Sequence, residues 1–409
     1  MNALVAGYGR SGKAAEALLK AQGHAVAVLA DDRRDTVEAA LAALGGAADV
    51  VIVSPGVALT HPWLVDAKAR GIPFKSELQL GCETLKSAGW KLLAVTGSKG
   101  KSSVVKIVAD AIALSGSVGV PCGNYGLPVC EVACTHLFPS SESDNQAIFK
   151  SSNSSWAVVE VSSFMMETTE LPADTFEAAA VLNLQEDHLD RHGSVEVYHG
   201  LKRRLLTMAK KGFLCEAPES TLPAGSYFDN PILKTNGELA VALMRSAGLV
   251  DATCAAAFRA FEPLAHRMNL VAERDGVRYI DDSKATSLAA LAAGVVMASS
   301  GVSAELPCVR LIAGGLPKGD DPKSVIPVLT ERVKKVYIIG QCAEAFDAAW
   351  REVVDCEICG DMKGAVAAVK REAEKGDVVL LSPGTASFDQ FKSFGERGEV
   401  FAGLVTQEG

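Results

Sequence analysis

The stretch Lys91-Leu92-Leu93-Ala94-Val95-Thr96-Gly97-Ser98-Lys99-Gly100-Lys101-Ser102-Ser103 restricts the fold more than any other. Its apolar first half reads as a buried strand. The strand stops at a glycine-bearing turn, and a helical pattern begins at Ser103-Val104-Val105-Lys106-Ile107-Val108. Strand, glycine turn and helix form a phosphate-binding geometry, because loop and helix N-terminal N–H groups present partial positive charge to an anion. In that geometry Lys101 reaches terminal phosphates and Ser102 can hold Mg²⁺. Val95 occupies a place where the generic motif has a further glycine. An ordinary glycine turn with a surface lysine shares this local pattern, so the rest of the chain must separate the two.

At 409 residues the chain is too long for one core and implies two or three domains. Its 48% apolar and 22% charged residues describe a soluble globular protein. A net charge of −9 argues against nucleic acid as the main partner. No apolar run reaches membrane-spanning length. The N-terminus enters a strand directly, without a basic start and long apolar region, so a cytoplasmic location is expected. Ten cysteines lie mostly in apolar contexts and read as reduced thiols. Cys356-Glu357-Ile358-Cys359 has the C-x-x-C spacing of a zinc or redox pair, but no second pair or nearby histidine supports it.

The first ninety residues read strand, Gly7-Tyr8-Gly9-Arg10-Ser11-Gly12, helix, strand (Ala25–Leu29), then Asp31-Asp32-Arg33. That is a dinucleotide fingerprint, and its geometry serves any nucleotide diphosphate. A third strand, Val50–Val53, ends at Ser54-Pro55-Gly56. After the phosphate loop comes the turn-rich Gly123-Asn124-Tyr125-Gly126-Leu127-Pro128, then a polar loop from Pro139 to Ser155. The strand from Trp156 carries Glu160 near its end. The strand Ala179–Leu184 runs into Gln185-Glu186-Asp187-His188, and a helix with Tyr198 and Lys202 follows. Residues 207–235 read as irregular, with Asn236 just before a helix from Glu238 to Ala247 and a boundary near Phe261-Glu262-Pro263. Beyond it, strands flank the hairpin signal Asp275-Gly276. Three more alternate with helices, over 309–313, 336–339 and 378–381. Their ends hold glycines, hydroxyls and lysines. The expected architecture is α/β in three domains: N-terminal Rossmann-like (1–90), central P-loop ATPase-like (91–264) and C-terminal Rossmann-like (265–409).

These residues resemble the Mur ligases over nearly the whole chain. Thr96 to Ser102 is similar to the family's ATP loop, and Glu160-Val161-Ser162-Ser163-Phe164 and Asn183 to Arg191 are similar to its central motifs. His266-Arg267, Asp282-Ser283-Lys284-Ala285-Thr286 and Ser382-Pro383 through Phe394 resemble the C-terminal ones, in the form of the branch that adds D-glutamate. The resemblance implies an amide-forming ligase of peptidoglycan precursor synthesis that consumes ATP with two Mg²⁺ ions. Its partners would be small molecules, ATP, D-glutamate and UDP-N-acetylmuramoyl-L-alanine, and it would act as a monomer.

Roles follow by resemblance. Arg10, Ser11, Asp32, Arg33, Asn124 and His188 would bind the UDP substrate. Gly97, Ser98, Lys99, Gly100, Lys101, Ser102 and Ser103, with Asn236, Arg267 and Asp282, would bind ATP. Ser102, Glu160, His188 and Lys202, the last as a carbamate, would surround the metal. Lys101, His188 and Lys202 would be catalytic. Lys284, Thr286, Lys318, Ser387 and Phe394 would form the D-glutamate pocket. The chain departs from the family at Ile232-Leu233, where His-Asn is usual, and at Lys99, where Asn is common; the segment 207–235 is short. Two other readings are an NAD-dependent oxidoreductase and a folylpolyglutamate synthase. The first leaves Lys101, Lys202 and Asp282-Ser283-Lys284 unexplained.

Overall fold

Four parallel strands, β1 (Asn2–Ala6), β2 (Ala25–Leu29), β3 (Val50–Val53) and β4 (Phe74–Ser76), make the first sheet in the order β2-β1-β3-β4. The fingerprint turn follows β1, and Gly12 lies so close to the Gly7 carbonyl that no side chain fits between them. A second parallel sheet comprises β5 (Lys91–Thr96), β6 (Val118–Gly123), β7 (Ser155–Glu160), β8 (Ala178–Val181) and β9 (Gly212–Leu214), in the order β6-β7-β5-β8-β9. The chain leaves β5 toward one edge and returns to pair β8 on its other side. The phosphate loop therefore lies at the crevice where ligands bind in such sheets.

The computed structural model describes residues 1–30, 35–138, 154–218, 220–300 and 307–407. They form two compact units: Met1–Phe228 with Leu233–Phe261, and Glu262–Gly409 with Asp229–Ile232. The first unit holds both parallel sheets. Leu18 and Leu19 of the helix Arg10–Ala21, Leu85 of Glu77–Ser87 and Val132 of Val129–Leu137 join Val5 of β1 and Leu92 of β5 in one core. Burying such side chains supplies roughly 1.5–3 kcal/mol each.

The second unit holds a six-stranded sheet of β10 (Asn269–Arg274), β11 (Val277–Asp281), β12 (Val309–Gly314), β13 (Val333–Ile339), β14 (Asp355–Gly360) and β15 (Val378–Leu381). The order is β10-β11-β15-β12-β13-β14, parallel except for the β10–β11 hairpin. Leu311, Val336, Ile338 and Leu380 face one core, and Ile312, Tyr337, Ile339 and Leu381 the other. That period of two buries both faces under helices.

The structure differs from the sequence expectation in places with physical causes. The phosphate-loop helix begins at Lys101, two residues early, because Gly100 in a left-handed conformation already starts it. The strand from Trp156 stops at Glu160, since Ser162 caps a short helix through its hydroxyl. The next strand ends at Val181, short of Leu184. Asn236 lies inside the helix Lys234–Ser246, not ahead of it. The stretch 207–235 contributes edge strand β9, too short to show a period. Strand β14, unseen in the sequence, contains the C-x-x-C pair. Three residues apart on a strand point to opposite faces, and Cys356 and Cys359 pack against different cores. They cannot hold one metal or form a redox pair in this fold. The expected polar loop lies almost wholly outside the described residues.

Candidate active site

The first unit contains a cleft of about 240 Å³ lined by Pro55, Gly56, Ser98, Lys101, Asn124, Ser162, Ser163, Phe164, His188, Tyr198 and Lys202. These residues come from the carboxyl ends of β3, β5, β6, β7 and β8 and from the helix Val195–Arg204. The loop after β5 needs Gly100, which takes φ 83° with its α-carbon against the Asn236 amide, where a Cβ would collide. Asn236 is thus brought to the loop from a distant helix, and it is buried. Lys101 folds back, its Nζ donating to the carbonyls of Gly97 (2.9 Å) and Ser98 (3.1 Å). Lys202, 2% exposed, donates to the same Gly97 carbonyl at 3.0 Å and lies 4.5 Å from the Tyr198 ring centroid. Burial, with the Lys101 charge adding to it, pushes its pKa down to about 7. Lys99 is exposed, Ser103 is buried and Ser102 is half-buried without lining the cleft.

The loop is locked by residues the sequence reading left unassigned. The Asn183 amide accepts from Lys99 N–H and donates to Lys99 carbonyl, both at 2.9 Å. Ser98 Oγ donates to the Gln185 carbonyl (3.0 Å) and accepts from Gln185 N–H (2.9 Å), with Tyr198 Oη 3.2 Å away. The sequence carried no signal of this contact: Asn183 and Gln185 reach the loop because they follow β8, which pairs with β5 in the folded sheet.

Glu160 ends β7 and is 2% exposed. Its Oε1 accepts from Asn124 Nδ2 at 2.8 Å, while Oε2 is buried with no hydrogen-bond partner among the described residues. A buried carboxylate oxygen left unpaired is unfavourable by several kcal/mol, on the order of a lost charged hydrogen bond or more. A divalent cation is one group that would satisfy it. Among the described residues no cluster of three or more His, Cys, Asp and Glu could hold a metal. Any such site must therefore draw on other donors. His188 is exposed at φ 53°, its ring 5.0 Å from that of Phe164.

Arg10 is exposed and pairs with Glu131 at 3.3 Å, and its guanidinium lies beside Gly126 in the Asn124 turn. Ser11 is half-buried at the second position of the following helix. Asp32 and Arg33 lie outside the described residues.

In the second unit the ends of adjacent strands β11, β15 and β12 carry the remaining candidates. Asp282 is 8% exposed and accepts from Ser382 Oγ at 2.9 Å. Burial raises its pKa to about 7. Lys284 Nζ lies 3.9 Å from the Phe394 ring centroid, a cation–π contact. Burial lowers the Lys284 pKa, and the Arg267 and Lys318 charges push the same way, so three cations face one region. Lys318 is exposed, Thr286 half-buried and Ser387 buried. Fully buried Arg397, which the sequence reading did not single out, ties these loops together. It donates to Ser283 Oγ (3.0 Å), Ser283 carbonyl (2.8 Å) and the Thr385 and Ala386 carbonyls. Ser283 Oγ in turn donates to the Phe394 carbonyl at 2.7 Å.

Residues 95–216 match the Mur ligase middle domain, and residues 266–384 match the Mur ligase glutamate ligase domain. The UDP-N-acetylmuramoylalanine–D-glutamate ligase of Nitratidesulfovibrio vulgaris is 32% identical over 98% of this chain and 95% of its own length. The enzyme of that name from Acidobacterium capsulatum is 31% identical over the same shares. Among solved structures, the UDP-N-acetylmuramate–alanine ligase of Thermotoga maritima superposes with a TM-score of 0.57 at 15% identity, covering 99% of both chains. The MurF ligase of Thermotoga maritima in complex with ADP does so at 0.53 and 15%, covering 88% of this chain and 89% of its own.

Proposed function

We infer that this chain, which belongs to the Mur ligase family, is the ATP-dependent ligase that joins D-glutamate to UDP-N-acetylmuramoylalanine. One observation carries the reading beyond simple nucleotide binding. Two lysines, Lys101 and the buried Lys202, converge on the Gly97 carbonyl of the phosphate loop, in a cleft that also contains Asn124, His188 and Ser163.

A carboxylate is a poor electrophile, so the alanyl carboxylate first takes the γ-phosphoryl group of ATP. The loop N–H groups and the helix dipole bind the phosphates, and Lys101 leaves its loop carbonyls to offset charge on the transferring oxygens. The acyl phosphate is then attacked by the D-glutamate amine, and phosphate departs as the amide forms. In-line positioning and fixed charges, rather than a covalent enzyme intermediate, supply the rate. The Lys284 and Lys318 cations suit a dicarboxylate, whose charges relieve their mutual repulsion, while Arg267 beside them is assigned to ATP. Asp282 and Asn236 are assigned to the nucleoside, and Thr286, Ser387 and Phe394 to the amino-acid pocket.

The orphaned Glu160 oxygen fits Mg²⁺, with Ser102, His188 and Lys202 as further donors. Mg²⁺ bound there would neutralise charge on the phosphate oxygens. Lys202 becomes an anionic donor when its neutral amine takes up CO₂ and loses a proton, and its depressed pKa makes that amine available near neutrality. Arg10, Ser11, Asp32, Arg33 and Asn124 are assigned to the UDP substrate. The enzyme works in the cytoplasm, as a monomer.

The test is ADP and phosphate release with ATP, Mg²⁺, UDP-N-acetylmuramoylalanine and either glutamate enantiomer. Release dependent on the D-enantiomer is expected. Release with L-glutamate and a folate, and none with D-glutamate, overturns the reading.

A further inference from the structure

Ser163 lines the cleft from the start of the short helix after β7, and it is only 3% exposed. Its hydroxyl lies 3.0 Å from His192 Nε2. The His192 side chain is 2% exposed, between Phe164 at 5.4 Å and Tyr198 at 5.6 Å, so the ring cannot turn freely. Its other nitrogen, Nδ1, is 3.4 Å from Glu167 Oε1. Glu167 is itself fixed by Arg191, which donates to it through Nε (2.9 Å) and Nη2 (2.6 Å). Arg191 also donates to the Val57 carbonyl at 3.0 Å.

This order of groups sets the direction of the hydrogen bonds. The Glu167 carboxylate favours a proton on the nitrogen that faces it, so the neutral imidazole carries its hydrogen on Nδ1. Nε2 is then an acceptor, and the Ser163 O–H must donate to it. The free lone pairs of Ser163 Oγ are left as an acceptor for a donor in the cleft. The cleft also offers a ligand donors, in the Lys101 ammonium and the Asn124 amide. Those suit phosphates and carboxylates. Ser163 is the opposite kind of group, held in that role by three side chains that take no part in phosphate binding.

We propose that Ser163 is a binding residue for the amide N–H of the muramoyl-alanine acceptor, with His192 and Glu167 as positioning residues that keep its hydroxyl in the accepting orientation. The inference rests on the reaction proposed above. In that substrate the alanyl amide N–H is one carbon removed from the carboxylate that must reach Lys101 and the γ-phosphate. A hydroxyl in the same cleft as Lys101 that can only accept matches this donor. The contact would help to aim the carboxylate and would select an amide-bearing acceptor over one without an N–H.

The experiment compares kcat/KM for the natural acceptor and for its ester analogue, in which lactate replaces alanine and oxygen replaces the N–H. Wild type should favour the amide by roughly 3- to 10-fold, as expected for one neutral hydrogen bond. S163A should lose most of that preference while its KM for ATP stays unchanged. H192F, which keeps the ring packing but removes the acceptor nitrogen, should lose part of it. An S163A enzyme that prefers the amide as strongly as wild type does overturns the proposal. So does a wild type indifferent to the replacement. Absence of turnover by wild type with the natural acceptor would instead count against the reaction itself.

Discussion

Lys202 is a buried lysine with no carboxylate bonded to it among the described residues, held against a carbonyl and an aromatic face. Such a group is unfavourable as an ammonium and gains from conversion to an anion that a cation can pair with. K202A should lose activity by two orders of magnitude or more, on the order of a missing charged ligand in the transition state. A short-chain carboxylate added to the assay should restore part of it. Full activity of K202A without additive would sink the assignment. Glu77 gives a second test at this scale. It is fully buried, accepts from Cys130 N–H at 2.7 Å, and has its other oxygen unpartnered among the described residues. Burial raises its pKa from 4.5 to about 7. The native state therefore binds more protons than the unfolded chain between those values, and stability falls as pH rises through that window. E77Q should flatten the decline, which in wild type is on the order of 1–3 kcal/mol between pH 5 and pH 8. Urea midpoints at the two pH values measure it, and parallel declines in both proteins would count against the account.

Among elements, the phosphate loop shows how far local pattern reaches. Its strand, turn and helix were legible because glycine positions and apolar runs are local signals. Its clamps were not: Asn183, Gln185 and Tyr198 come from other elements, and nothing in their own neighbourhoods marks them as partners of residues 98 and 99. Arg397 was hidden for the same reason, as an arginine in a helix is ordinarily exposed. The cysteine pair shows the converse error, in which a motif depends on the element carrying it. In a helix or loop C-x-x-C converges; on β14 it diverges. Protein purified with zinc present should carry no metal that depends on this pair, and the C356S/C359S double variant should retain normal turnover. Elemental analysis and the ADP-release assay check both.

Across the whole molecule, the first two sheets share one core although each has its own strands. Leu85, from the helix between them, is fully buried in that core. L85A should destabilise the first unit by about 2–5 kcal/mol. Hydrogen exchange should then accelerate in β1, β3 and β5 together and stay unchanged in β12, whose core is separate. Acceleration confined to one of the first two sheets would show that they unfold independently.

The sequence by itself determined that the protein is α/β, where most strands lie, that a phosphate loop follows β5, and which family supplies the chemistry. The first three rest on short-range periodicity and residue spacing, and the family on the resemblance of its motifs. Only the tertiary structure decided that Lys101 and Lys202 meet at one carbonyl, that Glu160 is buried with an oxygen to spare, and that Ser163, His192 and Glu167 form a line into the cleft. Those juxtapositions depend on strand order and helix packing, which bring together residues up to about a hundred positions apart. No local preference of the chain encodes that meeting.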